Sequence, residues 1–161
     1  MSDEVAEQIS HIPTEVIDLA DAPPLAPPAP LDKREVLSDC LLLLDGGAET
    51  TRTVIARSIL ELAGRPDQWE LLRDGADVAT ATEEFIRWVS PIHNMCRVAN
   101  RDYEIGGVTV RAGQQVVLMY PSANRDPAHF ADPECFDVTR KPNDHIAFGL
   151  GTHFCLGAGL A

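Results

Sequence analysis

From Asp32 to Ala63 the apolar residues recur at helical spacing without a break, and this run limits the fold more than any other feature. Asp32 is a natural N-cap, with Glu35 three residues on to complete a capping box. Gly64 is placed to end the helix and Pro66 to prevent its resumption. At about 1.5 Å per residue, a continuous helix here is roughly 45 Å long. Leu37, Cys40, Leu41, Leu44, Val54, Ile55, Ile59 and Leu62 form its apolar stripe. Leu41 to Leu44 is apolar on all sides, so that part is expected to lie deep inside something larger.

Shorter elements follow. Pro66 to Arg73 reads as a second helix, with Trp69 and Leu72 turned inward. Val78 to Val89 reads as a third, stopped by Pro91. The period then changes to that of strands at 96–99 and 103–105, a Gly106-Gly107 hairpin turn and a strand at 108–110. After a turn at Ala112-Gly113, Gln115 to Tyr120 is expected as a buried strand, and 121–147 as mostly loop. The fold class is therefore mainly α with a small β-sheet, α+β. Residues 1–30 differ: Pro23, Pro24, Pro27, Pro28 and Pro30 cannot sit in a helix or inner strand. They read as a disordered or extended leader, with a short helical turn at Thr14 to Ala20, ahead of a domain at 31–161.

Charge and cysteines narrow the function. A formal net charge of -12 over 161 residues argues against nucleic acid and anionic membrane surfaces as partners. The apolar runs Cys40 to Leu44 and Val116 to Tyr120 are far too short to span a membrane. Cys40, Cys96, Cys135 and Cys155 form no C-x-x-C pair and suit reduced thiols, so a cytoplasmic location is expected.

Chemistry concentrates at the C-terminal end, in Phe148-Gly149-Leu150-Gly151-Thr152-His153-Phe154-Cys155-Leu156-Gly157-Ala158-Gly159. Glycines on both sides of Cys155 let the backbone turn tightly and approach something large and flat. A small-residue helix is expected to start after the cysteine, and a helix N-terminus favours a thiolate. A thiolate held out on such a loop is how a protein offers sulfur to haem iron. His153 and Cys155 could also suggest a base and nucleophile, but i,i+2 partners across a tight loop rarely face each other. Zinc would need more Cys and His clustering. A buried structural cysteine would not need glycines at these offsets.

The pattern F-G-x-G-x-H-x-C-x-G-x-x-L-A resembles the haem-ligand signature of the cytochrome P450 family and matches it at every fixed position. By that resemblance Cys155 binds the iron of haem b, and Phe148, Gly149, Gly151 and Gly157 shape the loop beside the cofactor. His153 and Arg97, on the strand after Pro91, match the family's propionate contacts, and arginine is a natural fork for a carboxylate.

Two further motifs stand upstream in family order. Asp45-Gly46-Gly47-Ala48-Glu49-Thr50-Thr51 lies in the long helix, where each glycine costs roughly 1 kcal/mol against alanine. The residues alone allow a weak spot or break, or a local widening in which Thr50 bonds a main-chain carbonyl beside a carboxylate. The segment resembles the family's A/G-G-x-E-T-T motif. That resemblance makes Thr50 and Glu49 the proton-delivering pair for oxygen activation, and Gly46 and Gly47 the lining of the oxygen groove. Glu84 and Arg87 share a helix face at i,i+3 spacing, which alone suits an exposed ion pair. Their apolar neighbours Phe85, Ile86 and Trp88 instead suggest burial, which demands more partners, and Arg140 is a candidate third member. The resemblance, to the family's E-x-x-R helix, gives Glu84, Arg87 and Arg140 a structural role near the proximal side of the haem.

The resemblance covers about Leu31 to Ala161 and implies an incomplete P450 fold, its C-terminal portion, with most of the family's N-terminal half outside the chain. It implies a haem-thiolate monooxygenase fed by a ferredoxin and ferredoxin reductase, acting on a hydrophobic small molecule. Asn94-Met95-Cys96-Arg97 and Asn124-Arg125-Asp126 look most like the soluble bacterial branch that oxidises sterols or branched lipids. Asp45 departs from the small or apolar residue usual there, which disfavours a greasy substrate. The alternative expectation is a non-catalytic fragment that binds haem weakly or not at all.

Overall fold

The computed structural model describes residues 30–160. The proline-rich leader and the turn expected at Thr14 to Ala20 lie outside the described residues. Three helices come first: α1 (Lys33–Ala63), α2 (Pro66–Arg73) and α3 (Val78–Val89). Strands β1 (Asn94–Val98), β2 (Tyr103–Ile105), β3 (Val108–Val110) and β4 (Gln115–Met119) follow, then a single turn, α4 (Tyr120–Ala123). β1 pairs antiparallel with β4 in the register Asn94 to Met119, and β2 with β3 in the register Tyr103 to Val110, giving two separate two-stranded ribbons. Among the described residues no helix is long and apolar enough to cross a membrane.

The caps explain the helix bounds. Asp32 accepts from the amides of Arg34 and Glu35, and Glu35 accepts from the Asp32 amide at 2.8 Å, so the capping box is closed. Asp77 caps α3 by accepting from the Thr80 amide and hydroxyl. At the other end of α3, Ser90 takes a left-handed conformation, φ 42°, and its hydroxyl donates to the Arg87 carbonyl at 2.8 Å.

The core is small and centred on α3. Ala81 and Val138 are fully buried, with Leu62 of α1 and Phe136 against them. Phe136 stacks on Phe85 at 5.9 Å between ring centroids and meets the Trp88 edge at 5.5 Å. Leu41 to Leu44 are exposed, Leu42 by 71%, because only the C-terminal end of α1 reaches the core, through Ser58 and Leu62, and nothing larger covers them among the described residues. Two expectations about burial are corrected. Trp69 is 55% exposed, because α2 turns Gln68 and Leu72 inward, where Gln68 Oε1 accepts from the Val138 amide at 2.9 Å. β4 is largely exposed rather than buried, since no second layer covers it among the described residues.

Candidate functional site

α3 carries the most tightly connected polar cluster. Glu84 and Arg87 are both wholly buried. The carboxylate accepts from Arg87 Nε at 2.7 Å and Nη2 at 2.8 Å, a bidentate fork. It also accepts from Arg140 Nε at 3.1 Å, Asn143 Nδ2 at 3.1 Å and the Asp137 amide at 2.9 Å. Both guanidinium groups also donate to loop carbonyls. Arg87 reaches Asn124, Pro133 and Cys135, and Arg140 reaches Ala131, Asp132 and Cys135. The three residues picked from sequence thus meet, and together they hold the irregular segment 124–143.

The glycine loop follows from that anchorage. Gly149 and Gly151 have φ of 72° and 68°, a region other residues enter only with strain. A 3-10 turn, Gly151–His153, lies between them and the cysteine. The Cys155 amide donates to the Phe148 carbonyl at 2.9 Å, closing the loop. The helix expected after Cys155 is not formed. Residues 156–160 are turns, with bonds from Ala158 to Cys155 and Leu160 to Gly157, because two glycines in five residues make a weak helix. Cys155 is exposed, and the rings of Phe148 and Phe154 stand 6.0 Å apart beside it. A Cβ on Gly157 would stand 4.0 Å from the Cys155 sulfur, at ordinary van der Waals contact.

The other residues picked from sequence stand apart from these two groups. α1 runs as unbroken α-helix through Gly46 and Gly47, with neither a break nor a widening. The Thr50 hydroxyl nevertheless donates to the Gly46 carbonyl at 2.7 Å, the back-bond a threonine makes inside a helix. A Cβ on either glycine would meet nothing within 4 Å, so this helix face is open. Glu49 is paired with Arg52. Arg97 is exposed on β1 with Nη1 donating to the Cys96 carbonyl at 3.0 Å, and His153 is exposed in its turn.

The donor chemistry fits haem. Among the described residues no cluster of three or more His, Cys, Asp or Glu could hold a bare metal ion. A solitary exposed thiol can serve a metal that brings its other ligands with it, as porphyrin-bound iron does. Sequence reasoning missed Ser90, Asn124, Asn143 and His145, which tie the two groups together. Asn124 is wholly buried, with Nδ2 donating to Ser90 Oγ at 2.9 Å and Oδ1 accepting from the Ile146 amide at 2.9 Å. The Asn143-Asp144-His145 run and the Asn124-Arg125-Asp126 run are their traces in the sequence, and neither discloses these contacts.

The family model described as Cytochrome P450 matches residues 78–161. A steroid C26-monooxygenase of Mycobacterium tuberculosis is 48% identical over 132 residues, 81% of this chain and 36% of that protein. A biotin biosynthesis cytochrome P450 of Bacillus subtilis is 47% identical over 132 residues, 81% of this chain and 33% of that protein. The crystal structure of CYP109E1 from Bacillus megaterium with testosterone superposes with a TM-score of 0.78 at 34% identity, covering 98% of this chain and 44% of that one. The chain thus spans about a third of the length of the curated relatives it matches. With its mainly helical fold, its two small ribbons and its glycine-framed Cys155, the chain belongs to the cytochrome P450 family.

Proposed function

We propose that this chain is the haem-bearing part of a monooxygenase, residues 31–161 forming a partial P450 domain in which Cys155 supplies the thiolate ligand of haem b. The observation that carries the reading is the Cys155 loop itself, closed by the Phe148 carbonyl and presenting an exposed thiol. Haem bound there supplies the activation of dioxygen, with two electrons and two protons, for insertion of one oxygen atom into a C–H bond while the other leaves as water. Arg97 and His153 hold the two propionates by charge and hydrogen bonding. Phe148, Gly149, Gly151 and Gly157 keep the face beside the sulfur flat and dry. The open helix face at Gly46 and Gly47 admits dioxygen. Thr50 Oγ1 holds a proton at that face, and Glu49 exchanges it with solvent through its exposed carboxylate. Glu84, Arg87 and Arg140 fix the proximal loops and take no part in proton transfer.

The substrate proposed is a hydrophobic small molecule of sterol or lipid type, supported by the relative named for a steroid. A ferredoxin with its reductase is the proposed electron source. The four cysteines, all free, favour the cytoplasm. With hemin added, the reduced carbon monoxide complex should show the red-shifted Soret band of thiolate ligation. An unchanged band in Cys155→Ala refutes the ligand assignment.

The exposed run Leu41 to Leu44 favours a second reading, a chain that holds haem weakly and turns nothing over. Haem binding by spectrum without product, in the presence of a reductase system, would select it.

A further inference from the structure

The segment leading into the Cys155 loop is bonded at successive residues to elements packed around it. His145 sits with its side chain 4% exposed, its Nε2 lying 2.9 Å from Glu83 Oε2 on α3. Its Nδ1 accepts from the Ala147 amide at 3.3 Å. A ring that accepts at Nδ1 carries its proton at Nε2, where Glu83 is the acceptor, so the geometry selects one neutral tautomer. Its ring centroid is 5.8 Å from that of Phe148, whose carbonyl receives the Cys155 amide. Between them, Ile146 is held by Asn124, and the Gly149 amide donates back to the Ile146 carbonyl at 2.8 Å. A continuous line of hydrogen bonds and ring contacts therefore runs from α3 to the backbone of Cys155.

We propose that His145 is a positioning residue for Cys155: its neutral ring, braced between Glu83 and the Ala147 amide, holds the root of the cysteine loop, and a second proton on the ring releases it. The inference rests on the reading of Cys155 as a haem ligand. The second proton goes to Nδ1 and turns an acceptor into a donor facing the Ala147 N–H. Two donors cannot bond, so the brace at Ala147 is lost while the one at Glu83 strengthens. Burial is the first cause that holds the His145 pKa below its ordinary 6.5, and Arg87 adds to it, while the charge and hydrogen bond of Glu83 act in the opposite sense. The ring thus meets acid and base from α3, the aromatic face of Phe148 from the loop, and the uncharged Asn124 from the turn beside Ile146. The brace is intact at neutral pH and opens as the pH falls below the ordinary histidine range.

The test uses the full 161-residue chain, labelled with nitrogen-15. Imidazole shifts and the exchange of the Ala147 amide are followed from about pH 8 to about pH 4, through and below the ordinary histidine range. The wild type should show the Nε2–H tautomer, and Ala147 protection should fall about tenfold as the ring protonates, the size of one hydrogen bond. His145→Asn places an oxygen where Nδ1 was, in an Asx turn, so protection should persist and become independent of pH. His145→Leu should lose it at every pH. An Nδ1–H tautomer, or Ala147 protection in the wild type that ignores pH, overturns the proposal. If the leucine variant fails to fold, the asparagine variant decides alone, since protection there that still falls with ring-range pH refutes the role of His145. With hemin, dithionite and carbon monoxide, the thiolate-ligated fraction should follow the same midpoint in the wild type and none in His145→Asn. A wild type with no thiolate band at any pH refutes the haem reading instead, and the amide measurements then decide the brace without it.

Discussion

Replacing Glu84 by glutamine removes the carboxylate charge from a wholly buried cluster while keeping its shape. Glu84 accepts hydrogen bonds from Arg87, Arg140, Asn143 and the Asp137 amide, with N–O distances of 2.7 to 3.1 Å. At such separations and an effective dielectric near 20, each arginine pair is worth roughly 5–6 kcal/mol of attraction before desolvation is counted. Desolvation offsets most of this while the pair is whole. Once the carboxylate is gone, two guanidinium groups stay buried with only carbonyl dipoles around them, and the loss is about 3–5 kcal/mol. That is a large part of the roughly 5–15 kcal/mol that holds a domain folded. Glu84→Gln should fall near the lower figure and Glu84→Ala near the upper, since alanine also leaves a cavity. Urea unfolding can be followed through Trp88, which packs on Phe136. Glu84→Gln combined with Arg140→Met should cost at least about 1 kcal/mol less than the sum of the two, because the residues share one contact. A Glu84→Gln variant within about 1 kcal/mol of wild type, or strict additivity in the double variant, would refute the buried-charge reasoning.

Ser90→Ala should cost about 1–3 kcal/mol in the same assay by stranding the Asn124 amide, and Ser90→Gly less, since glycine relieves the left-handed backbone. The urea midpoint should fall as the pH drops below about 6.5, where the unfolded chain protonates His145 before the folded chain does, and level off once the lowered folded pKa is passed; His145→Asn should lack that component. Asp77 has its pKa lowered, chiefly by the Thr80 hydroxyl, so its contribution is present above the ordinary carboxylate value and fades in stronger acid; Asp77→Ala should remove that acid component from the urea profile. Leu42→Lys and Leu43→Glu should change stability by less than about 0.5 kcal/mol, because both side chains face solvent, and should reduce self-association in sedimentation.

The elements were legible where chain punctuation was strong. Pro66 and Pro91 place the start of α2 and the end of α3 because each acts on its own few residues. Coverage was not legible at Trp69 or β4. Periodicity tells which face is apolar, not what lies against it. Glu84 and Arg87 could be read because helix spacing puts them together and apolar neighbours imply burial. His145, Asn124 and Ser90 could not, because their partners are 62, 22 and 34 residues away and single polar side chains leave no periodic mark. The turns after Cys155 followed from glycines that the sequence displayed, but the small residues between them favoured the helix instead.

The paired ribbons make one further difference to how this molecule grips anything. Two strands alone are marginal in water, and both ribbons have open edges. Arg97 rides on such an arm, while the Cys155 loop is bonded through His145 to α3 and through Ile146 to Asn124. In the proposed role, a guest would therefore rest on a fixed point at the sulfur and a looser one at its rim.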